Sequence, residues 1–255
     1  MHPILLQLGP ISIKTYGFLI ATGFLMGISL AVRDAKQENF DPQIILDLAF
    51  YMIIGAIVGS RIFYVFTNLS YFLQHPLDIF KIWQGGLVFF GGFILSFSIC
   101  VWMIKRNGLQ LLKTLDLFAP SLAIGVCFGR LGCFFAGCCY GKACELPWAI
   151  TFTNPDTLAR MHVPLHPTQL YSSLGALITF LILFFWRKRK TFDGQLLLIW
   201  LFMYSGFRSI IELFRGDIRG DMWFDKYATS QILAWALVML AVGLYPVFKR
   251  KYPLK

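Results

Sequence analysis

Seven long apolar blocks, separated by short polar connectors, run the length of the 255-residue chain. They cover 11–32, 44–66, 86–104, 115–133, 168–186, 195–214 and 229–248. Each comes near the roughly 20 residues that a helix needs to cross a bilayer. Within lipid, backbone polar groups must be satisfied inside the helix or in a closed barrel. A barrel would show short strands alternating apolar and polar side chains, and that alternation is missing. The pattern therefore predicts an all-α integral membrane fold, one polytopic domain over 1–255 with seven transmembrane helices. No internal repeat or low-complexity tract interrupts it. The start, Met1-His2-Pro3, lacks the basic n-region of a cleavable signal, and the first block is too long for an h-region. The 67–85 connector, with Phe72, Pro76, Ile79, Phe80, Ile82 and Trp83, reads as a segment lying in the membrane interface.

Composition agrees. Hydrophobic residues make up 57% of the chain and charged ones only 14%, against about a quarter charged in soluble domains, which excludes a soluble globular protein. The net charge of +10 would suggest nucleic acid in a soluble chain. Here the basic residues sit in the connectors, the pattern that sets membrane orientation, so no nucleic-acid partner is expected. Of the 23 Lys and Arg, 13 fall in one set of connectors: Arg33 and Lys36; Lys105, Arg106 and Lys113; 187–190; Lys249, Arg250, Lys251 and Lys255. Seven fall on the other side: Lys14, Lys81, Lys142, Arg160, Arg215, Arg219 and Lys226. The positive-inside bias puts the C-terminus in the cytoplasm and, with seven spans, the N-terminus outside.

The remaining three, Arg61, Arg130 and Arg208, lie inside predicted spans. An intramembrane charge is costly and by default a functional hypothesis. Each sits within about two turns of its span's outer end, at roughly 1.5 Å of rise per residue. One reading is separate snorkelling to the interface. The other is convergence on one anion, since the guanidinium fork suits phosphate. In the sixth block Tyr204, Arg208 and Glu212 follow at i, i+4 and i+8 and share a helical face, with Arg215 close by. The fourth block ends in a glycine-rich run that includes Gly129, Gly132, Gly137 and Gly141. The third opens on Gly85-Gly86 and Gly91-Gly92. Exposed N–H groups in such runs can cradle phosphate, and glycine pairs equally serve close helix packing.

In order along the chain stand Tyr16-Gly17, Val58-Gly-Ser-Arg61, Trp83-Gln-Gly-Gly-Leu-Val-Phe-Phe-Gly-Gly, Gly129-Arg130-Leu-Gly132 through Gly141, His166-Pro-Thr-Gln169-Leu-Tyr171, and Tyr204 to Arg215. Together they resemble the prolipoprotein diacylglyceryl transferase family over essentially the whole length. The resemblance implies an enzyme of the bacterial cytoplasmic (inner) membrane that takes diacylglyceryl from phosphatidylglycerol. The acceptor is the lipobox cysteine thiol of a prolipoprotein, the product is a thioether, glycerol phosphate leaves, and the site faces the outer leaflet. Its partners would be that lipid, prolipoprotein lipobox peptides and the surrounding membrane lipid. Arg130 and Arg208 take the phosphate-stabilising role by motif match, with Arg61 as support, and Gly91, Gly92, Gly132 and Gly141 join the phosphatidylglycerol-binding set.

Well-known relatives often carry His where this chain has Phe90, Asn where it has Cys133 and Glu where it has Cys138. Tyr16, Tyr204, Glu212 and His166 are then the groups that could deprotonate or orient the thiol, with Tyr16 preferred and Glu212 supporting it. His166, Gln169 and Arg215 are possible supporting residues, and His166, just before Pro167, equally fits a capping role. Cys133, Cys138, Cys139 and Cys144 do not form a standard pair of C-x₂-C pairs, and adjacent Cys138 and Cys139 are not expected to meet on one ion. No metal and no cofactor is assigned. On an oxidising face a disulfide, such as Cys139 with Cys144, fits better. Two further functions stay open: a paralogue with another lipid donor or acceptor, and an anion or lipid transporter, against which the missing repeat counts.

Overall fold

The computed structural model describes residues 2–8, 11–217, 222–223 and 227–254. Arg219, Lys226 and Lys255 lie outside them. Helices dominate: α1 (Thr15–Gln37), α2 (Pro42–Thr67), α3 (Leu69–Gln74), α4 (Phe89–Arg106), α5 (Leu111–Ala136), α6 (Thr168–Trp186), α7 (Gln195–Glu212) and α8 (Thr229–Lys251). Three two-stranded antiparallel sheets accompany them: β1 (Ile4–Leu8) with β2 (Ile11–Lys14), β3 (Ile150–Thr151) with β4 (Pro164–Leu165), and β5 (Met222–Trp223) with β6 (Tyr227–Ala228). Among the described residues six helices are long and apolar enough to cross a membrane: α1, α2, α4, α5, α6 and α8. The chain is an integral membrane protein. α7, at the place of the sixth predicted span, is helical but less apolar, because Arg208 and Glu212 ride in its last turns.

Several helix ends fall a few residues from the expected bounds, and two of the starts have a clear local cause. The first helix starts at Thr15 and not at residue 11, because Ile11-Ser-Ile-Lys14 pairs with β1 as a strand. Ile, Ser, Ile and Lys alternate with the period of two that a strand follows. The hairpin is tied to the helix start by Thr15, whose N–H reaches the Pro3 carbonyl at 2.9 Å and whose hydroxyl reaches that of His2 at 2.6 Å. The helix of the third block starts at Phe89, since Gly85 (φ 89°) and Gly86 (φ 73°) are left-handed and break the helical path.

The chain divides into two compact units, residues 32–114 and residues 1–31 with 115–255. In the first, Asp41 caps α2 by accepting from the Gln43 N–H, with Pro42 in the opening turn. α2 and α4 lie against each other along a seam of small residues. Gly59 faces the Gly91 carbonyl, Gly92 faces that of Ala56, and a side chain on Gly55 would run into Ser96 and Ile99. Such close backbone approach is how membrane helices associate without a hydrophobic driving force. Gly91 and Gly92 therefore serve helix packing here, the second of the two uses open to that run.

Arg61, on the last turns of α2, is buried. Its Nε donates to the Ile79 carbonyl at 2.9 Å, Nη1 to Gly85 at 2.7 Å and Gly86 at 3.2 Å, and Nη2 to Asp78 at 2.5 Å and Lys81 at 3.4 Å. A guanidinium has five donors, and all five are engaged. The rings of Tyr64 and Phe72 flank it, each 5.5 Å from the guanidinium carbon. Arg61 thus folds the 76–86 connector onto the end of its own helix. α3 and the 3₁₀ turns Pro76–Phe80 and Ile82–Gln84 that follow it leave Leu73, Leu77, Phe80 and Trp83 exposed. Asp78, bonded by Lys81 at 2.6 Å and by the Tyr71 hydroxyl at 2.8 Å, keeps its carboxyl below the usual range because of those two hydrogen bonds.

In the second unit α7 packs on α6 and α8. Within residues 15–31 of α1, Gly23 meets Phe128 and Gly125 of α5, and the Ser121 hydroxyl donates to the Gly27 carbonyl at 2.7 Å. The buried Asp116 of α5 caps α7 from outside, accepting from the N–H groups of Gly194 at 2.8 Å and Leu197 at 3.0 Å. A carboxylate at a helix N-terminus meets orphan donors and the positive end of the dipole. This anchors α7, and with it Arg208 and Glu212, against α5.

Candidate active site

All the site geometry described here lies in the unit formed by residues 1–31 and 115–255. Where α5 ends, Gly137 (φ 75°) and Cys139 (φ 61°) reverse the chain in left-handed conformations. Residues 140–144 then run as an extended bridge between two other segments. Gly141 N–H donates to the His166 carbonyl at 3.0 Å, Lys142 N–H to Phe214 at 2.8 Å, and Gly216 N–H to Tyr140 at 3.2 Å. A side chain on Gly141 would meet His166 on one side and the Phe214 carbonyl on the other. Gly141 thus stitches the ends of α5, α6 and α7 together, and its N–H is spent on that stitch. Gly132 is buried beneath Tyr16, whose ring would lie 3.1 Å from an added methyl, so the glycine lets the first turn of α1 rest on α5.

The start of α6 fixes the same turn. Thr168 donates its hydroxyl to the Cys139 carbonyl at 2.7 Å, and Gln169 its amide to that of Cys138 at 2.9 Å. Both side chains are buried. His166 stands beside Phe214, ring centroids 5.2 Å apart, with its Nδ1 3.3 Å from the Tyr171 hydroxyl. That hydroxyl also accepts from Trp148 Nε1 at 2.8 Å. His166, Tyr171, Trp148 and Phe214 form an aromatic rim, and Trp148 carried no signal in the sequence.

The charges gather on α5 and α7. Glu212 pairs with Arg208 one turn back and with Arg215 at 3.8 Å. Arg215, buried, also grips Asp217 in a fork, Nε to Oδ1 at 2.6 Å and Nη2 to Oδ2 at 3.1 Å. Tyr204 stacks on Trp200 one turn earlier, with centroids 5.3 Å and planes 7° apart. Arg130 is within electrostatic range of Tyr204, Cys139, Cys133 and Arg215, and Arg208 is within range of Arg215 and Arg130. Tyr16, 41% exposed, lies in the field of Cys133, Cys138, Cys139 and Arg130.

Three guanidinium groups thus face two carboxylates. Glu212 and Asp217 neutralise Arg208 and Arg215, and among the described residues Arg130 has neither a hydrogen bond nor an ion pair. One unneutralised guanidinium fork held near two other cations has the charge and the donor geometry that suit an anion. The structure brings together Tyr16, Arg130, Gly132, Tyr204, Arg208, Glu212 and Arg215, with Gly141, His166 and Gln169 as the framework around them. Arg61, Gly91 and Gly92 belong to the other unit, in the roles given above. Asp217 escaped the sequence reading although the Arg215-Gly-Asp217 run offered it.

The model of the prolipoprotein diacylglyceryl transferase family matches residues 3–247. The chain belongs to that family. Among its relatives, the phosphatidylglycerol–prolipoprotein diacylglyceryl transferase of Clostridium tetani is 34% identical over 97% of this chain and 98% of its own. Those bearing the same name in Finegoldia magna and Trichormus variabilis are each 35% identical, over 94% and 99% of this chain and 93% and 92% of theirs. This transferase departs from the sequence expectation at its cysteines. Adjacent Cys138 and Cys139 do gather, with Cys133, so that the three sulfur atoms lie within 4.8 Å of one another. The turn that carries them holds two left-handed residues, Gly137 and Cys139. All six cysteines are thiols, and Cys144 is not in the cluster, so the expected Cys139–Cys144 disulfide is not formed. Hydrogen bonds with Cys133 and Cys139, and burial, push the Cys138 thiol well above its usual range.

Proposed function

We propose that the chain transfers the diacylglyceryl group of phosphatidylglycerol to the lipobox cysteine thiol of prolipoproteins, releasing glycerol phosphate. The family membership supports the reaction, and one observation carries the site: Arg130 is the guanidinium left over after Glu212 and Asp217 neutralise their partners. In this reading the phosphodiester of the lipid docks on Arg130, with Arg208 at its flank. The acceptor thiolate attacks the glycerol carbon, the C–O bond to phosphate breaks, and its electron pair leaves on the phosphate oxygen. Negative charge grows where preorganised guanidinium donors already point, which is the form of stabilisation with the largest effect in poorly hydrated sites. Tyr16, which lies in the field of Arg130, is assigned in this reading as an acceptor or orienting group for the thiol proton. The thiol's ordinary pKa of about 8.5 demands little base strength.

The same proposal includes α7 as the sixth of seven spans, the N-terminus outside and the site at the outer leaflet of the bacterial cytoplasmic membrane. The 13-to-7 asymmetry of basic residues supports that orientation. Labelling with an impermeant thiol reagent in intact cells tests it: cysteines introduced at 188 and 249 should react only after permeabilisation, and one at 160 should react directly. The reverse pattern would overturn the orientation and the leaflet together. The reaction is tested by purifying the protein and measuring glycerol phosphate released from phosphatidylglycerol in the presence of a lipobox peptide. Lipid-dependent modification of the peptide cysteine is the expected result. Lipid movement across vesicles without any modified peptide would favour the transporter.

A further inference from the structure

The reaction chemistry leaves the three-cysteine cluster at the end of α5 unused. Cys133 lies in the last turn of the helix, Cys138 and Cys139 in the reversal after it, and their sulfur atoms lie within 4.8 Å of one another. A non-glycine residue in the left-handed region is uncommon and costs free energy, on the order of 1 kcal/mol or more, yet Cys139 adopts φ 61° and so joins the cluster. The backbone of the turn is held from behind, the Cys138 carbonyl by Gln169 and the Cys139 carbonyl by Thr168, as ligand-bearing loops are held by their supporting hydrogen bonds. The groups around the cluster are cationic: Arg130 is in the field of Cys133 and Cys139, and Arg215 in that of Cys139.

We propose that Cys133, Cys138 and Cys139 form a three-thiolate site for a zinc-class ion, whose fourth position receives the acceptor thiol of the transfer reaction. The proposal rests on the transferase reading for its second half. Zinc binds thiolate at about 2.3 Å in tetrahedral geometry, which places ligand sulfurs roughly 3.8 Å apart. With the sulfurs within 4.8 Å of one another, the cluster needs a contraction of at most about 1 Å to meet that. Three protein ligands with an open fourth position are the pattern of catalytic zinc, and four that of structural zinc. Here Cys144, the next cysteine, is outside the cluster. The three thiols release their protons to solvent as the ion binds, and the resulting complex carries one net negative charge, which Arg130 and Arg215 face. An incoming thiol that takes the fourth position loses its proton to solvent and is held as a thiolate. Its sulfur lone pair then forms the C–S bond to the glycerol carbon as the C–O bond breaks, and the bonding pair departs with glycerol phosphate. No electron is gained or lost overall. Tyr16, beside both the thiols and Arg130, lies where the two substrates would meet.

The test uses the full-length protein in detergent, stripped with a chelator under reducing conditions and titrated with Zn²⁺ against a chromophoric competitor. One tightly bound ion per chain is expected. Cys133→Ser, Cys138→Ser and Cys139→Ser should each weaken binding at least tenfold, while Cys144→Ser and Cys100→Ser leave it unchanged. Co²⁺ in place of Zn²⁺ should give thiolate charge-transfer absorption that gains intensity when a lipobox peptide is added and not when its cysteine is replaced by serine. Absence of stoichiometric ion, equal binding by the triple serine variant, or a disulfide within the cluster in protein purified without reductant would overturn the site. Full transfer activity in the stripped protein would overturn the role in thiol activation while leaving the transferase reading intact. Stripped and zinc-loaded protein that both fail to modify the peptide would count against that reading, with the Zn²⁺ titration still deciding the site.

Discussion

Arg130→Ala should abolish diacylglyceryl transfer, and Arg130→Lys should cut it by on the order of 10²–10³, with both proteins inserted and folded. The magnitude is that of losing one preorganised donor to developing charge. Lys keeps the charge but presents a point cation where Arg presents a planar fork, so the swap is not conservative at a phosphate. The structure sharpens the comparison with Arg208. Arg208 already carries an ion pair to Glu212 on its own helix, whereas Arg130 has no partner among the described residues. Arg208→Lys should therefore be the milder change. The assay is glycerol phosphate release from phosphatidylglycerol with a lipobox peptide, alongside thermal unfolding in detergent. Near-normal turnover in Arg130→Lys combined with a dead Arg208→Lys would move the phosphate clamp from α5 to α7.

Glu212→Ala is expected to be the most damaging change to stability, and more so than either arginine substitution. Glu212 lies between Arg208 and Arg215, and Arg130 is in range of both. Removing the carboxylate leaves the pair of cations with only Asp217, and breaking a buried ion pair in this way costs about 3–5 kcal/mol. Glu212→Gln keeps the shape and some hydrogen bonding and should lose less. The double variant Glu212→Ala, Arg208→Met removes the uncompensated charge and should recover much of the lost stability. It should not recover transfer to the wild-type level, since the flank of the phosphate site is gone. Additive losses in the double variant, measured as unfolding midpoints in one detergent, would show that no coupling exists between the two side chains.

Most of the membrane architecture could be read from residue order. Apolar blocks of about 20 residues must be helical in lipid because no other segment closes its own hydrogen bonds there. All seven blocks contain a helix, and the charged faces of α5 and α7 follow from 3.6-residue periodicity alone. Local pattern also carries the hairpin at the start, where Ile11-Ser-Ile-Lys14 alternates as a strand does and pairs with β1.

What tertiary structure decided is how each polar group is used. Arg61 and Arg130 look alike in sequence, each following small residues near the end of an apolar block. Folding surrounds one with five carbonyls and leaves the other unpaired, and no local signal distinguishes a guanidinium whose donors are filled by a loop 17 to 25 residues away. The glycines divide in the same manner, Gly59, Gly91 and Gly92 into a helix seam and Gly141 into a three-way backbone junction. The cysteine cluster was invisible because adjacent side chains ordinarily diverge. A chain reversal with left-handed residues at Gly137 and Cys139, held from α6 by Thr168 and Gln169, carries Cys138 and Cys139 beside Cys133. Span and face are matters of period and solvent, which the order of residues carries. Partnership depends on which chain segment arrives from elsewhere, and only the packed structure determines that.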